Sequence, residues 1–336
     1  VLNNGATVLE NEFDDQILEE AGLDAVQRSQ VEEIGIQSYL VVPLRVSDRI
    51  IGTLSVGGAI GARPYGQDDL DLAERIADRA GVAIHNAIQF TQRTKIAKVL
   101  QRSLLPAGFP NIAGCQMAGT YRSAGEGLDV GGDFYDVFQI DSSRFGIAIG
   151  DVSGKGHEAA AITALTRHTI RAAAVTISNP HEVLLAANEV LLGQATESRF
   201  CTAAFGIATV RKPGHLSLRF ANAGHLPPLV ARLDGTIEPI ESSGVLLGMF
   251  PDASFEDVSV EMKPGEVFLL YTDGLTDVMI NGEFLGDDWL RAELASVRER
   301  SVGEIVRTIE ERVTRSGSVL VDDVAVLAVK TVGGSA

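Results

Sequence analysis

The sequence predicts an α+β protein with antiparallel sheets, and three observations predict it. Apolar runs with strand character recur at residues 145–149, 200–210, 267–271 and 324–329. Helical stretches fall between some of these runs but not all, so the strict alternation of a doubly wound parallel sheet is missing. A long helical pattern also separates a short β-rich segment from a larger second region. The length of 336 residues fits two domains at about 100–200 residues each.

Taken in order, residues 1–67 contain Tyr39-Leu-Val-Val-Pro-Leu44 and Arg49-Ile-Ile-Gly-Thr-Leu-Ser-Val56. Both are rich in β-branched residues, and Ser47-Asp48 between them reads as a hairpin turn. From Asp68 the pattern becomes helical. Asp68 and Asp69 can cap orphan amides, no proline follows until Pro106, and Gly81 is the one glycine. A continuous helix over 68–104 would reach ~55 Å. Ile76, Ala83 and Phe90 are seven apart, but the heptads are poor, so a connecting signalling helix is preferred to a short coiled coil. In the second region, 105–332, helices are expected at the Ala-rich stretch 158–175, at 181–192 and at 302–313. Residues 333–336 read as a disordered tail.

Composition excludes several classes. With 45% hydrophobic and 22% charged residues, wholesale disorder is ruled out. The chain carries 45 acidic against 28 basic residues, a net charge of −17, which disfavours nucleic acid and anionic membranes as partners. There is no apolar run of ~18 residues to span a membrane. Two cysteines, Cys115 and Cys201, make no disulfide framework and point to a reducing, cytoplasmic setting. The first residues lack a signal-peptide pattern, and the absence of an initiating Met suggests a fragment of a longer protein.

Several aspartates share one context, the end of an apolar strand beside a Gly or another Asp. Asp133 lies in Val130-Gly-Gly-Asp-Phe-Tyr-Asp136, and Asp151 ends 145–151 and opens Asp151-Val-Ser-Gly-Lys-Gly156. Asp273 follows 267–272 and precedes Gly274, while Asp322 and Asp323 precede 324–329. Each alone is ordinary turn chemistry. Together they could present carboxylates at the mouth of a sheet. At ~4 Å and an effective dielectric of ~20, each close pair would repel by about 4 kcal/mol. Either their pKa values rise or cations fill the gap, and all-oxygen ligands select magnesium or manganese over zinc.

These stretches carry a resemblance. Leu100-Gln-Arg-Ser-Leu-Leu-Pro106, Gly131-Gly-Asp-Phe-Tyr-Asp136, Gly150-Asp-Val-Ser-Gly-Lys-Gly-His157, Ala221-Asn-Ala-Gly-His-Leu-Pro-Pro228, Leu269-Leu-Tyr-Thr-Asp-Gly274 and Val321-Asp-Asp-Val-Ala-Val326 occur in family order. Residues 105–332 resemble metal-dependent Ser/Thr protein phosphatases of the PPM (type 2C) class, in the bacterial SpoIIE/RsbU-like branch. The resemblance implies two antiparallel sheets flanked by helices, with two divalent cations, manganese or magnesium, and room for a third. The bridging ligand would be Asp151, joined by the Val152 carbonyl. Asp273 and Asp322 would hold the second cation, and Asp133 would hold waters or a further cation. Asp323 is adjacent to Asp322, and the order of the pair favours Asp322. Water would attack a phosphoserine or phosphothreonine in line, without a phosphoenzyme.

Two departures stand out. Relatives with a His two residues after the bridging Asp have a candidate general acid, whereas this chain has Ser153; water or His157 must then protonate the leaving oxygen. Arg122, eleven residues before Asp133, is a candidate phosphate ligand set against an ordinary surface Arg. Gly154-Lys-Gly156 lacks Walker spacing and reads as a tight turn that fixes Asp151. Asn222 and His225 read as a structural turn. His168, Arg167 and Arg171 read as a polar helix face, and Trp289 and the Phe residues as core.

Residues 1–90 resemble the back part of a GAF sensor domain through Ser38-Tyr-Leu-Val-Val-Pro-Leu44, Arg49-Ile-Ile-Gly-Thr-Leu54 and Ala83-Ile-His-Asn-Ala87. The N-terminal region is thus a partial GAF-like domain over 1–67, its last helix running to about 90 and its opening elements missing. It would take a small-molecule or protein signal. The layout implies dephosphorylation of a phosphorylated STAS-domain anti-anti-sigma protein in partner switching, by a homodimer whose helix transmits sensor state. The rival readings are a degenerate phosphatase fold serving as a binding module, and a nuclease, against which the acidic balance weighs.

Overall fold

The computed structural model describes residues 1, 5–11, 35–59, 61–106, 108–124, 131–194, 199–212, 214–280, 282–314 and 318–333. Most of the expected tail, 334–336, lies outside the described residues. The chain divides into two compact units, Val1–Arg93 and Thr94–Ala336.

In the first unit, β1 (Val8–Glu10), β2 (Ile36–Val46) and β3 (Arg49–Ala59) form an antiparallel sheet in the order β1-β2-β3. Val46 pairs with Arg49, so Ser47-Asp48 is a two-residue turn, with Ser47 in the left-handed region at φ 52°. Alternation along β2 turns Leu40, Val42 and Leu44 to one face, where they meet Ala73 and Ala77 of helix α1. That helix spans Gln67–Leu104 with Asp68 and Asp69 in its first turn, so the long uninterrupted pattern is one helix.

The second unit holds β4 (Cys115–Arg122), β5 (Phe134–Gln139), β6 (Arg144–Val152), α2 (His157–Ala173), α3 (Pro180–Gly193), β7 (Cys201–Lys212) and β8 (His215–Ala223). There follow β9 (Leu229–Ala231), β10 (Ile237–Pro239), β11 (Asp257–Met262), β12 (Val267–Tyr271), β13 (Met279–Ile280) and β14 (Glu283–Phe284). The unit closes with α4 (Gly286–Val297), α5 (Val302–Val313), β15 (Ser318–Val319) and β16 (Val324–Thr331). Two five-stranded antiparallel sheets, β10-β9-β12-β16-β4 and β11-β8-β7-β6-β5, carry the fold.

Period-two alternation builds the layers. Phe145, Ile147 and Ile149 of β6 meet Phe268 and Leu270 of β12 and Leu327 and Val329 of β16 between the sheets. The opposite face of the first sheet, Leu229, Val267, Leu269, Val326 and Ala328, packs on Leu290, Leu294, Ile305 and Ile309 of α4 and α5. The other sheet packs Phe134, Phe138 and Phe205 on Ile170, Val183, Leu184 and Leu191 of α2 and α3. The result is a helix–sheet–sheet–helix sandwich, so the α+β class and the two-sheet architecture expected from the sequence are both present. Helix α5 starts at a capping box in which Ser301 and Glu304 satisfy each other's backbone amides.

Two expectations change. The Arg167 face of α2 does not face solvent: Arg167 is buried and pairs with the buried Asp136 of β5 at 3.1 Å, and Arg171 bonds the same carboxylate at 2.7 Å. His168 is the exposed member. Nor are all aromatics core, since Phe200, Phe250 and Phe284 are exposed. The physical reason for the first is register. Asp136 lies on the helix-facing side of β5 with Phe134 and Phe138, so a buried carboxylate there demands cations from the helix above it.

Candidate metal centre

Antiparallel pairing decides where the aspartates go. Phe134 opposite Gly150 sets the start of β5 against the end of β6, and Tyr271 opposite Val326 sets the end of β12 against the start of β16. Asp133, Asp151, Asp273, Asp322 and Asp323 therefore all sit at strand ends on one side of the sandwich. Glycines allow the approach. A Cβ on Gly132 would lie 2.2 Å from the Val152 carbonyl oxygen and 2.8 Å from Asp151 Oδ1. A Cβ on Gly274 would lie 1.8 Å from the Asp323 carbonyl, so only glycine lets the 322–323 turn close on β12.

Asp133 is buried, and its Oδ2 accepts a 2.7 Å hydrogen bond from Thr272 Oγ1. The same Thr272 hydroxyl accepts from the Ala325 amide at 2.8 Å. One hydroxyl thus ties the starts of β5 and β16 to the end of β12. Burial, and next the charge of Asp151, push the Asp133 pKa well above the carboxylate range. Burial also raises Asp151, to about 6, with the charges of Asp273, Asp322 and Asp323 adding to it. Asp273 is raised by burial and by Asp277 and Asp322.

The paired acids at the start of β16 differ. Asp323 is buried; its Oδ1 accepts from the Ala124 amide at 2.9 Å, and its Oδ2 is buried with no hydrogen-bond partner. Asp322 is half-exposed, and its Oδ1 lies 2.9 Å from Lys155 Nζ. Among the described residues, no three His, Cys, Asp or Glu side chains already form a ready-made metal-ligand group. Asp322 instead takes the Lys155 ammonium as its partner.

The donor set nevertheless fits a hard divalent cation. It is all oxygen, it includes the Val152 carbonyl beside Asp151, and it leaves one buried carboxylate oxygen of Asp323 unsatisfied. Arg122 is not brought to this cluster. It pairs across the sheet with Val324, whose side chain faces α5, and its Nε is bound to Glu310 of that helix at 2.6 Å. Ser153 Oγ accepts from the Phe200 amide at 3.2 Å, and His157 is exposed at the start of α2.

Asn222 and His225 make the expected turn, the Asn222 side chain bonding both the amide and the carbonyl of His225. The His225 ring lies 2.8 Å from Thr202 Oγ1 and 3.1 Å from the Tyr271 carbonyl, and burial lowers its pKa to about 4, so it is neutral. It ties β7, whose Thr202 pairs with Asp151 of β6, to the end of β12 just before Asp273. Sequence reasoning missed Thr272, Lys155 as a partner of Asp322, and Tyr121, whose hydroxyl borders Gly131 and Asp323. The one available signal was position, since Thr272 and Lys155 flank the aspartate motifs.

Replacing Thr272 by valine should cost about 1–3 kcal/mol, because it leaves the Ala325 amide and the Asp133 carboxyl without their partner. A urea-unfolding midpoint equal to that of the parent would contradict the linkage.

A family model described as stage II sporulation protein E (SpoIIE) matches residues 141–332, more than half of the chain, and a GAF-domain model matches residues 1–84. The phosphoserine phosphatase RsbU of Bacillus subtilis is 27% identical over 204 residues, covering 57% of this chain and 60% of RsbU. Protein IcfG of Synechocystis sp. is 27% identical over 260 residues, covering 68% of this chain and 40% of IcfG. The solved structure of the RsbU and RsbW domains of Rv1364c from Mycobacterium tuberculosis aligns with a TM-score of 0.61 at 26% identity, covering 69% of this chain and 64% of that one. The chain thus spans 40% and 60% of the length of these two curated relatives.

Proposed function

The chain belongs to the SpoIIE family and carries an N-terminal GAF domain, and from that premise we propose that it is a metal-dependent phosphoprotein phosphatase acting on phosphoserine or phosphothreonine. The observation that carries the reading is the gathering of five strand-end carboxylates, with the pKa values of Asp133, Asp151 and Asp273 raised and one buried oxygen of Asp323 left unsatisfied. Asp151, with the Val152 carbonyl, Asp273 and Asp322 would hold two divalent cations, manganese or magnesium, and Asp133 and Asp323 would serve the waters around them or a third. When bound, such cations lower the pKa of water and offset charge on a phosphoryl group. The chain's own part is to fix the carboxylates: Thr272 holds Asp133, and neutral His225 holds the strands behind Asp151 and Asp273. With no histidine at position 153, the leaving oxygen would take its proton from water or from His157, which is exposed at the start of α2.

The substrate class we favour is a phosphorylated STAS-domain protein in a partner-switching pathway in the cytoplasm. Support comes from the named phosphoserine phosphatase RsbU among the relatives. No helix among the described residues is long and apolar enough to cross a membrane. The GAF domain would take the signal, and α1 would carry it. Leu72, Ile76, Val82, Ile88 and Phe90 of α1 are exposed apolar residues that a second copy of the chain would cover in a homodimer.

The test is turnover of a phosphorylated STAS protein by the purified chain with manganese, with magnesium and with chelator, beside Asp273→Ala. Metal-dependent release of phosphate that the variant lacks is the expected result. Activity in chelator would overturn the reading, and metal binding without turnover under any condition would favour a binding module.

A further inference from the structure

Lys155 lies in the turn between β6 and α2, between Gly154 and Gly156, both at φ 92°. The left-handed backbone on each side folds the turn back toward the strand ends, where Lys155 Nζ reaches Asp322 Oδ1 at 2.9 Å. Asp323 and Asp133 also act on the ammonium electrostatically. Lys155 borders a 240 Å³ pocket together with Ser123, Ala124, Gly131 and Asp323, the residue with the unpartnered Oδ2. The neighbouring guanidinium groups are committed elsewhere: Arg122 to Glu310, and Arg199 to the Ser153 carbonyl and Glu158.

Asp322 cannot serve an ammonium and a divalent cation with the same oxygen, since the two positive charges would repel at contact distance. The Lys155 side chain is 44% exposed and sits on a flexible four-carbon stem, so leaving Asp322 costs it little. A released ammonium remains tethered at the rim of the cluster, where an arriving phosphoryl group needs a cation.

We propose that Lys155 is a tethered placeholder cation: it occupies Asp322 while no divalent cation is bound, yields it when one arrives, and then grips the substrate phosphate. This rests on the phosphatase reading above. It goes beyond that reading by assigning the phosphate-binding cation to a residue of the 154–156 turn.

The experiment is calorimetric titration of manganese into the chelator-stripped full chain, wild type against Lys155→Gln and Lys155→Arg. It is followed by steady-state kinetics on a phosphoserine protein at saturating manganese. Lys155→Gln should bind manganese about fivefold tighter, the size of an exposed ion pair removed as competitor. Its KM should rise several-fold with kcat little changed, and Lys155→Arg should stay near wild type in both. Equal manganese affinity in all three proteins would reduce the contact to an ordinary surface ion pair and overturn the proposal. Tighter manganese with an unchanged KM would overturn it too, because the handover to phosphate would be absent. A wild type that binds manganese but never turns over would sink the phosphatase reading, while the affinity ratio would still judge the placeholder.

Discussion

Replacing Asp136 by alanine should destabilise the protein by about 3–5 kcal/mol, the cost of stranding a buried cation. Arg167 is 6% exposed and has no other carboxylate among its described contacts. Its remaining hydrogen bond runs from Nη1 to the Ser103 carbonyl at 3.4 Å, in the last turn of α1. Arg171 suffers less, because its side chain is 41% exposed and can turn to water. The pair as a whole is a poor source of net stability, so removing both ends should recover most of the loss. Asp136→Leu combined with Arg167→Met is therefore expected to unfold at a urea midpoint near that of the wild type. A single Asp136→Ala within 1 kcal/mol of the parent, on the order of a surface change, would mean that Arg167 finds water or another partner.

Asp151→Asn should lower kcat/KM for a phosphoprotein substrate by on the order of 10³-fold or more, since it removes the central carboxylate of the proposed ligand set. The same change should stabilise the chelated protein at neutral pH. In the metal-free fold, burial and the neighbouring aspartates raise the Asp151 pKa to about 6, above its unfolded value of about 3.9. The folded state then binds the proton more tightly than the unfolded chain. Its stability is greatest below about pH 4 for this group and falls as pH rises through about 6. Asparagine keeps the shape and removes that loss. Urea unfolding from pH 4 to 7.5 in chelator should show a falling wild-type midpoint and a flatter profile for Asp151→Asn. Parallel profiles would show that the carboxylates are not strained against one another. Added manganese should raise the wild-type midpoint and leave the variant nearly unmoved.

Much of this was legible from local pattern. The apolar runs at 145–149, 267–271 and 324–329 lie within β6, β12 and β16, and each is bounded by the Asp-Gly or Asp-Asp chemistry that ends or opens a strand. The hairpin at Ser47-Asp48 and the helix from Asp68 were readable for the same reason. Glycine beside Asp133, Asp151 and Asp273 was a signal as well, and the distances at Gly132 and Gly274 give its cause in the close approach of neighbouring strand ends. The polar face expected on α2 went wrong because helical spacing tells which residues share a stripe, not what lies opposite. Arg167 and Asp136 are separated by 31 residues and meet only through packing of α2 on β5.

By itself, then, the sequence determined the fold class, the long helix and which aspartates end strands, because period, capping and turn preference act over a few neighbouring residues. Tertiary structure alone decided which side each of those residues faces. Asp323 went inward to the Ala124 amide and Asp322 outward to Lys155, although the two are adjacent, because those partners come from distant stretches of the chain. Arg122 was drawn away to Glu310 because its register partner is Val324 rather than Asp323. A one-residue step in pairing reverses the face of every side chain, and long-range pairing between strands sets that step.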